Sequence, residues 1–389
     1  MRLENSPVEV EAAQPSAESH AKPIRARVRE AGFRDYAQIA ALESRYGLQP
    51  KSYEEWSHLW IENPVYRQLP KWPIGWVCEN ERAEVVGCIA NIPLAYEFEN
   101  QTLIAATSRA LVVASLYRPY CFPLLSCFFG QANVDLFLNT TVNSKALKLH
   151  EIFRTLRVPT GIWDQSAFWI TNYPAFAASL LAMKELPGGL ALRYPLSAGL
   201  LLRDAVAGRA LRMRPNKSAA EFCTRFDERF DRFWKQLRKS CSGRLLASRA
   251  RDVLEWHFKH ALATDKAWVL TMNSGSELSA YAIFRRQDNP AYGLKRMRLV
   301  DFQTRPGETE LLEPMLLRAL DRCRREGIHM LEAIGFCSDK QRVIESLAPH
   351  CRQLSSWRYF YKANNEHLAA SLQNSQVWDA TCFDGDASL

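Results

Sequence analysis

No two of the ten cysteines, at positions 78, 88, 121, 127, 223, 241, 323, 337, 351 and 382, are spaced as C-x-x-C. That leaves reduced, buried thiols in a cytoplasmic protein as their reading. No apolar run is a credible membrane span, because the best one, Leu111 to Phe129, is broken by Arg118, Pro119 and Pro123. The start of the chain, Met1 to about Lys22, lacks the basic opening, apolar centre and small-residue cleavage site of a signal peptide, and reads as a flexible tail. No long basic block occurs, although 50 Lys and Arg against 42 Asp and Glu leave a net charge of +8. Such a spread favours anionic ligands without pointing to nucleic acid. G-x-S-x-G, G-x-x-x-x-G-K and H-E-x-x-H are all missing, so hydrolase, P-loop and zincin chemistry have no support.

What is present is a folded-protein balance of 47% hydrophobic and 24% charged residues over 389 positions, a length that suggests two domains. A faint internal repeat supports the number two. Glu55-Trp56 lies on a short helix around Tyr53 to Trp60 and is followed by Gly75 to Asn80 and Glu84 to Ala90. Glu255-Trp256 lies on a helix around Arg251 to His257 and is followed by Ala267-Trp268-Val269 and Glu277 to Phe284. Both stretches read as strand, polar turn, strand, with Asn80, Asn273, Ser274 and Gly275 at the turns.

Each hairpin then meets another strand, about Thr102 to Ala114 and about Lys295 to Phe302, and a helix near Phe122 to Phe129 or Glu310 to Glu326. Val134 to Thr140 with Asn143 to Arg154 completes the first unit. His329 to Ala333, Asp339 to Leu347 and Trp357 to Lys362 complete the second. The expected fold class is α/β in the α+β sense: two domains, each a mixed, mostly antiparallel sheet flanked by helices. The expected division is a tail over 1–23, a first domain over 24–160, a packed connector over 161–215, a second domain over 216–365 and a C-terminal tail over 366–389.

The passage Val113-Ala114-Ser115-Leu116-Tyr117-Arg118-Pro119-Tyr120-Cys121-Phe122-Pro123 resembles the strand-to-helix motif of the GNAT acyltransferase superfamily, in its tandem form. Asn143-Ser144-Lys145-Ala146 running to His150 resembles that family's later helix opening. The resemblance implies acyl-CoA, acetyl or longer, as co-substrate, held at Val112, Val113, Ala114, Ser115, Arg118, Tyr120 and Asn143. In the family a glycine-rich turn brings backbone N–H groups and a helix N-terminus onto the pyrophosphate. Cys121 and Pro123 stand at the two glycine positions here; one adds a β-carbon and the other removes an N–H. The second unit has Asp301 to Glu308 at the corresponding place, with no such motif and with Glu308 beside the expected anion position.

Acyl transfer to an amine needs a positioned amine, donors for the developing oxyanion and a proton for the leaving thiolate. The resemblance implies strand donors at Val112 to Ala114 and a general acid at position 150, where His150 replaces the family's tyrosine. Asp135, on the strand after the cofactor helix, is the candidate base. Other groups read as structural. His257 and His260 lack a third ligand, Asp384-Gly385-Asp386 reads as a solvated turn, and Phe226, Phe230, Phe233 and Trp234 read as a packing face.

The resulting expectation is a cytoplasmic acyltransferase that moves an acyl group from acyl-CoA to a small-molecule or peptide amine in the cleft between two domains. Neither nucleic acid nor a membrane span is expected. Two alternatives stay open: a non-catalytic binding or assembly protein that kept the fold, and a transferase of the same tandem form that uses aminoacyl-tRNA.

Overall fold

The computed structural model describes residues 25–160, 163–185, 189–206, 220–354 and 356–389. The expected N-terminal tail and part of the connector lie outside them. In chain order the first stretch holds β1 (Ala26–Glu30), α1 (Tyr36–Arg45), α2 (Tyr53–Ile61), β2 (Gly75–Asn80), β3 (Val85–Phe98), β4 (Gln101–Val113), α3 (Cys121–Phe129), β5 (Leu136–Val142), α4 (Leu147–Ile152) and β6 (Leu156–Arg157). The middle holds β7 (Gln165–Ile170), α5 (Tyr173–Met183) and α6 (Gly189–Val206). Then come β8 (Glu221–Cys223), α7 (Glu228–Ser240), β9 (Leu246–Ala247), α8 (Arg251–Ala263), β10 (Ala267–Ser274), β11 (Glu277–Arg286), β12 (Arg296–Thr304), α9 (Leu312–Arg325), β13 (Met330–Ile334), α10 (Ser338–Leu347), β14 (His350–Gln353), β15 (Arg358–Ala363) and α11 (Glu366–Ser371).

Local chemistry explains several boundaries. Ser52 and Glu55 close a capping box at the start of α2, each side chain taking the other's backbone N–H at 3.2 Å. Asp227 caps α7, whose Phe230, Phe233, Trp234 and Leu237 form one buried face, as the spacing predicts. Glu99 and Asn100, at φ 49° and 63°, supply the paired positive angles of a tight hairpin turn between β3 and β4.

The two sheets run in the orders β1-β2-β3-β4-β5-β15-β6 and β8-β10-β11-β12-β13-β7-β14, with β9 also paired to β3. Read side by side, they place equivalent strands at equivalent positions, and the Trp76 and Trp268 hairpins occupy the same place in each. Within each sheet one pair is parallel, β4 with β5 and β12 with β13, while the other pairings are antiparallel. One expectation is corrected. The strand expected at Trp357 to Lys362 does not complete the second sheet but pairs with β5 of the first. The matching place in the second sheet is taken by β7, from the expected connector. Each sheet thus receives its sixth strand from the chain that leaves the other.

Helices α3 and α4 cover the outer face of the first sheet, and α9 and α10 that of the second. The inner core lies between the sheets with α1, α2, α7 and α8. There α2 and α8 cross by reciprocal bonds: His58 Nε2 lies 2.8 Å from the Trp256 carbonyl, and Trp256 Nε1–H donates to the His58 carbonyl at 3.0 Å. The segment after α11 is no loose tail, since Trp378, Asp379, Thr381, Cys382, Phe383, Asp384 and Ser388 are all buried. Among the described residues no helix is long and apolar enough to cross a membrane.

Candidate active site

β4 and β5 share only three ladder positions, Ala105 with Leu136, Ala106 with Phe137 and Thr107 with Leu138. Beyond them the strands part. Ser108 Oγ–H donates across the opening to Asn139 Oδ1, and after that β4 keeps only its β3 partner. The cause is local: the β3–β4 register shifts between Cys88 and Ala90, and Ala110 adopts φ 53°, a bulge that turns the end of β4 away. Past Ser108 no strand among the described residues pairs with β4 on its β5 side, while Val112 and Val113 stay in register with Cys88 and Gly87 of β3 and the Ala114 N–H donates to the Val86 carbonyl at 2.8 Å, so the expected donor at Ala114 is already engaged.

The chain then makes a short 3-10 turn over Ser115–Tyr120 into α3. Arg118 is exposed and has no ion-pair partner among the described residues. The N–H of Ser115 donates to the Tyr46 hydroxyl at 2.9 Å, and the Tyr120 hydroxyl accepts from the Ala26 N–H at 2.8 Å. Two groups expected to face a cofactor are therefore engaged with other parts of the chain. Pro123 sits in the first turn of α3, where its missing N–H is tolerated by the helix while removing one donor from the anion site.

The remaining expected residues fall elsewhere. The Asn143 side-chain carbonyl accepts the N–H groups of Lys145 and Ala146, so it caps a turn. Asp135 Oδ2 accepts the Ile104 N–H at 2.8 Å. Ile104 is four residues before Ser108, where the strands part, which at strand rise is about 13 Å, and about 20 Å before the Ala110 bulge. Asp135 is a strand-pairing acid. His150 is buried, stacks on Phe360 at 4.7 Å and bonds Thr155 Oγ1 through Nδ1 at 3.0 Å. Burial pushes its pKa down to about 4. A neutral imidazole in the core has no proton to give from its charged form near neutral pH, so general acid catalysis by His150 finds no support in this geometry.

On the inner side of the opening stand groups with no expected role. Arg109, two residues past the last β4–β5 pair, points Nη1 toward Glu43 Oε1 at 3.7 Å, too far for a hydrogen bond, and that buried nitrogen has no hydrogen-bond partner. Glu43, on α1, is 3% exposed, and burial raises its pKa above the ordinary carboxylate range, opposed by the charges of Arg109 and Lys51. The Asp384-Gly385-Asp386 run, expected as a solvated turn, lies against the same opening. Thr140 and Thr141 hydroxyls donate to Asp386, at 2.5 and 3.2 Å, and the Tyr96 hydroxyl donates to Asp384 at 3.0 Å. A β-carbon at Gly385, whose φ is 58°, would stand 2.5 Å from Thr140 Cγ2, so only glycine fits. Among the described residues no group of three or more His, Cys, Asp or Glu could hold a metal ion.

Solved structures share this fold over most of the chain. N-myristoyltransferase of Saccharomyces cerevisiae, solved with bound myristoyl-CoA, matches over 90% of this chain and 83% of its own at 12% identity and a TM-score of 0.57. The chain has a tandem GNAT-like fold. A probable N-acyltransferase of Enterococcus faecalis aligns with 87% of this chain and 72% of its own, at 10% identity and a TM-score of 0.52. A GCN5-related N-acetyltransferase of Anabaena variabilis aligns with 88% and 73%, at 12% identity and a TM-score of 0.51. No family model matches the chain, and no curated protein matches it in sequence. At these identities the tandem GNAT-like likeness is one of fold.

Proposed function

We propose that this protein is a cytoplasmic N-acyltransferase that takes acyl-CoA at the β4–β5 opening of its first half and an amine acceptor from the interior between the halves. The observation that carries the reading is the opening itself: a β4 edge that loses its β5 partner after Thr107 on one side, and on the other the buried Glu43 facing Arg109, whose buried Nη1 has no hydrogen-bond partner. Acyl-CoA would lie beside Ser115 and Arg118, with its thioester carbonyl toward the free edge. The five buried thiols, Cys78, Cys88, Cys323, Cys337 and Cys382, suit a reducing compartment.

In this reading the acceptor amine attacks the thioester carbon. The N–C bond forms, the C–S bond breaks, coenzyme A leaves as thiolate, and the amine proton passes to Glu43. Its raised pKa suits a base working near neutral pH better than an ordinary exposed carboxylate would. Arg109 holds Glu43 at the end of β4 without saturating it.

Calorimetry with acetyl-CoA and myristoyl-CoA tests the cofactor site. Arg118→Ala should weaken binding by about 1 to 3 kcal/mol, the range for losing a charged hydrogen-bond partner, and added salt should weaken the wild type. If neither acyl-CoA binds at millimolar concentration, Cys121 and Pro123 have removed the phosphate site and the protein is a GNAT-fold binding protein without this chemistry.

A further inference from the structure

A cavity of about 660 Å³ opens between α2 and α8, walled by both halves of the chain. Lys51, at the entry to α2, and Arg285, at the end of β11, both line it, and neither makes a hydrogen bond from its side chain or an ion pair among the described residues. The acids around them are committed elsewhere. Glu55 holds Ser52 in the capping box, Asp288 pairs with Arg286 at 2.9 Å, and Asp265 and Glu326 both pair with Arg322. Leu389 lines the same cavity without an ion pair to either cation.

Two half-buried cations facing one space with no partner are an unusual arrangement, because native proteins pair charges that they withdraw from water. Burial acts first on both: with repulsion from Arg285 and Arg109 the Lys51 ammonium falls to about 7, and with repulsion from Arg109 and Arg298, opposed by Glu55, the Arg285 guanidinium falls to about 10. His257 is held neutral by burial and by these same two charges. An anion placed between Lys51 and Arg285 would offset the cost of holding both charges away from water and favour the charged form of Lys51. Lys51 also feels the charges of Glu43 and Arg109.

We propose that this cavity binds the carboxylate of an amine acceptor that carries both groups, an amino acid or short peptide, with Lys51 and Arg285 as its specificity-determining residues. The proposal rests on the acyltransferase reading for the identity of the ligand but not for the existence of the site. Guanidinium and ammonium supply complementary contacts: Arg285 can meet both carboxylate oxygens in one plane, and Lys51 acts as a point charge.

The test is calorimetry on the full chain without acyl-CoA, titrating glycine, glycylglycine, glycylglycinamide and inorganic phosphate. The expected result is binding of glycine or glycylglycine, at least tenfold weaker binding of the amide, and weaker binding of phosphate. The relative strength of glycine and glycylglycine separates a free amino acid from a peptide. Lys51→Gln and Arg285→Gln should each weaken carboxylate binding about tenfold, while Lys51→Arg should retain it, which separates charge recognition from a folding defect. Equal binding of acid and amide, stronger binding of phosphate, or unchanged affinity in both glutamine variants would overturn the proposal. Acyl-CoA binding without carboxylate binding would sink this site and leave the enzyme. Carboxylate binding through Lys51 and Arg285 without acyl-CoA binding would do the reverse.

Discussion

The two parallel-strand openings of the molecule occupy equivalent positions and are finished in opposite ways. In the first half Arg109 stands two residues past the last β4–β5 pair, and in the second Asp301 stands two residues past the last β12–β13 pair. Asp301 is wholly buried and saturated. Arg249 meets it through two nitrogens at 2.8 and 3.0 Å, and Thr381, Tyr281 and Gln303 complete its hydrogen bonds. Cys382 closes the same gap by donating to the Ile334 carbonyl at 3.1 Å. Arg109, by contrast, faces Glu43 at 3.7 Å with a buried nitrogen unsatisfied. One opening has been made into core, where a satisfied ion pair specifies geometry; the other keeps an unfilled polar demand, which is the feature the proposed site rests on.

The sharpest way to break this contrast is to remove one charge from each. Asp301→Ala leaves Arg249 buried without a partner and should cost about 3 to 5 kcal/mol in urea unfolding, whereas Arg109→Met should cost far less and should lower turnover. Equal destabilisation by the two would erase the distinction. Glu43→Gln should lower turnover about 100-fold if the carboxylate is the base. Its pH signature follows from the raised pKa. Wild-type activity should climb with pH through that value while stability declines over the same interval, because the folded chain holds a proton that the unfolded chain releases. Both trends should flatten in the variant. The smallest expected effect is at His150. His150→Phe should leave turnover near wild type. With a folded pKa of about 4, below its unfolded value, wild-type His150 makes the protein lose stability as pH falls from about 6.5 toward 4, and melting curves of the variant should lack that loss.

Much of the architecture was legible from local pattern. The Glu-Trp repeat, the two hairpins and the strand-to-helix passage at Arg118 are set by spacing and turn chemistry within about 30 residues, and the structure places them as equivalents. The exchange of β7 and β15 was not legible. Both are short apolar strands that could complete either sheet, and pairing partners more than 150 residues apart leave no trace in the strand itself. Glu43 was missed for a similar reason: on an amphipathic helix ending Leu-Glu-Ser-Arg, a glutamate reads as solvated until the β4 bulge is seen to face it. The opposite error befell His150 and Asp135, whose residue types suit catalysis but whose neighbours are Phe360 and the Ile104 backbone.

What the sequence determined by itself was therefore the set of local elements and their repetition, because helix caps, hairpin turns and apolar periodicity depend on near neighbours. Only the tertiary structure decided which carboxylates are buried, which are saturated and which face an incompletely bonded partner. Asp384-Gly385-Asp386 has the composition of a surface turn, yet its partners Tyr96 and Thr140 lie 288 and 246 residues away. A charged group's role depends on burial and on what faces it, and both are fixed by contacts between distant parts of the chain.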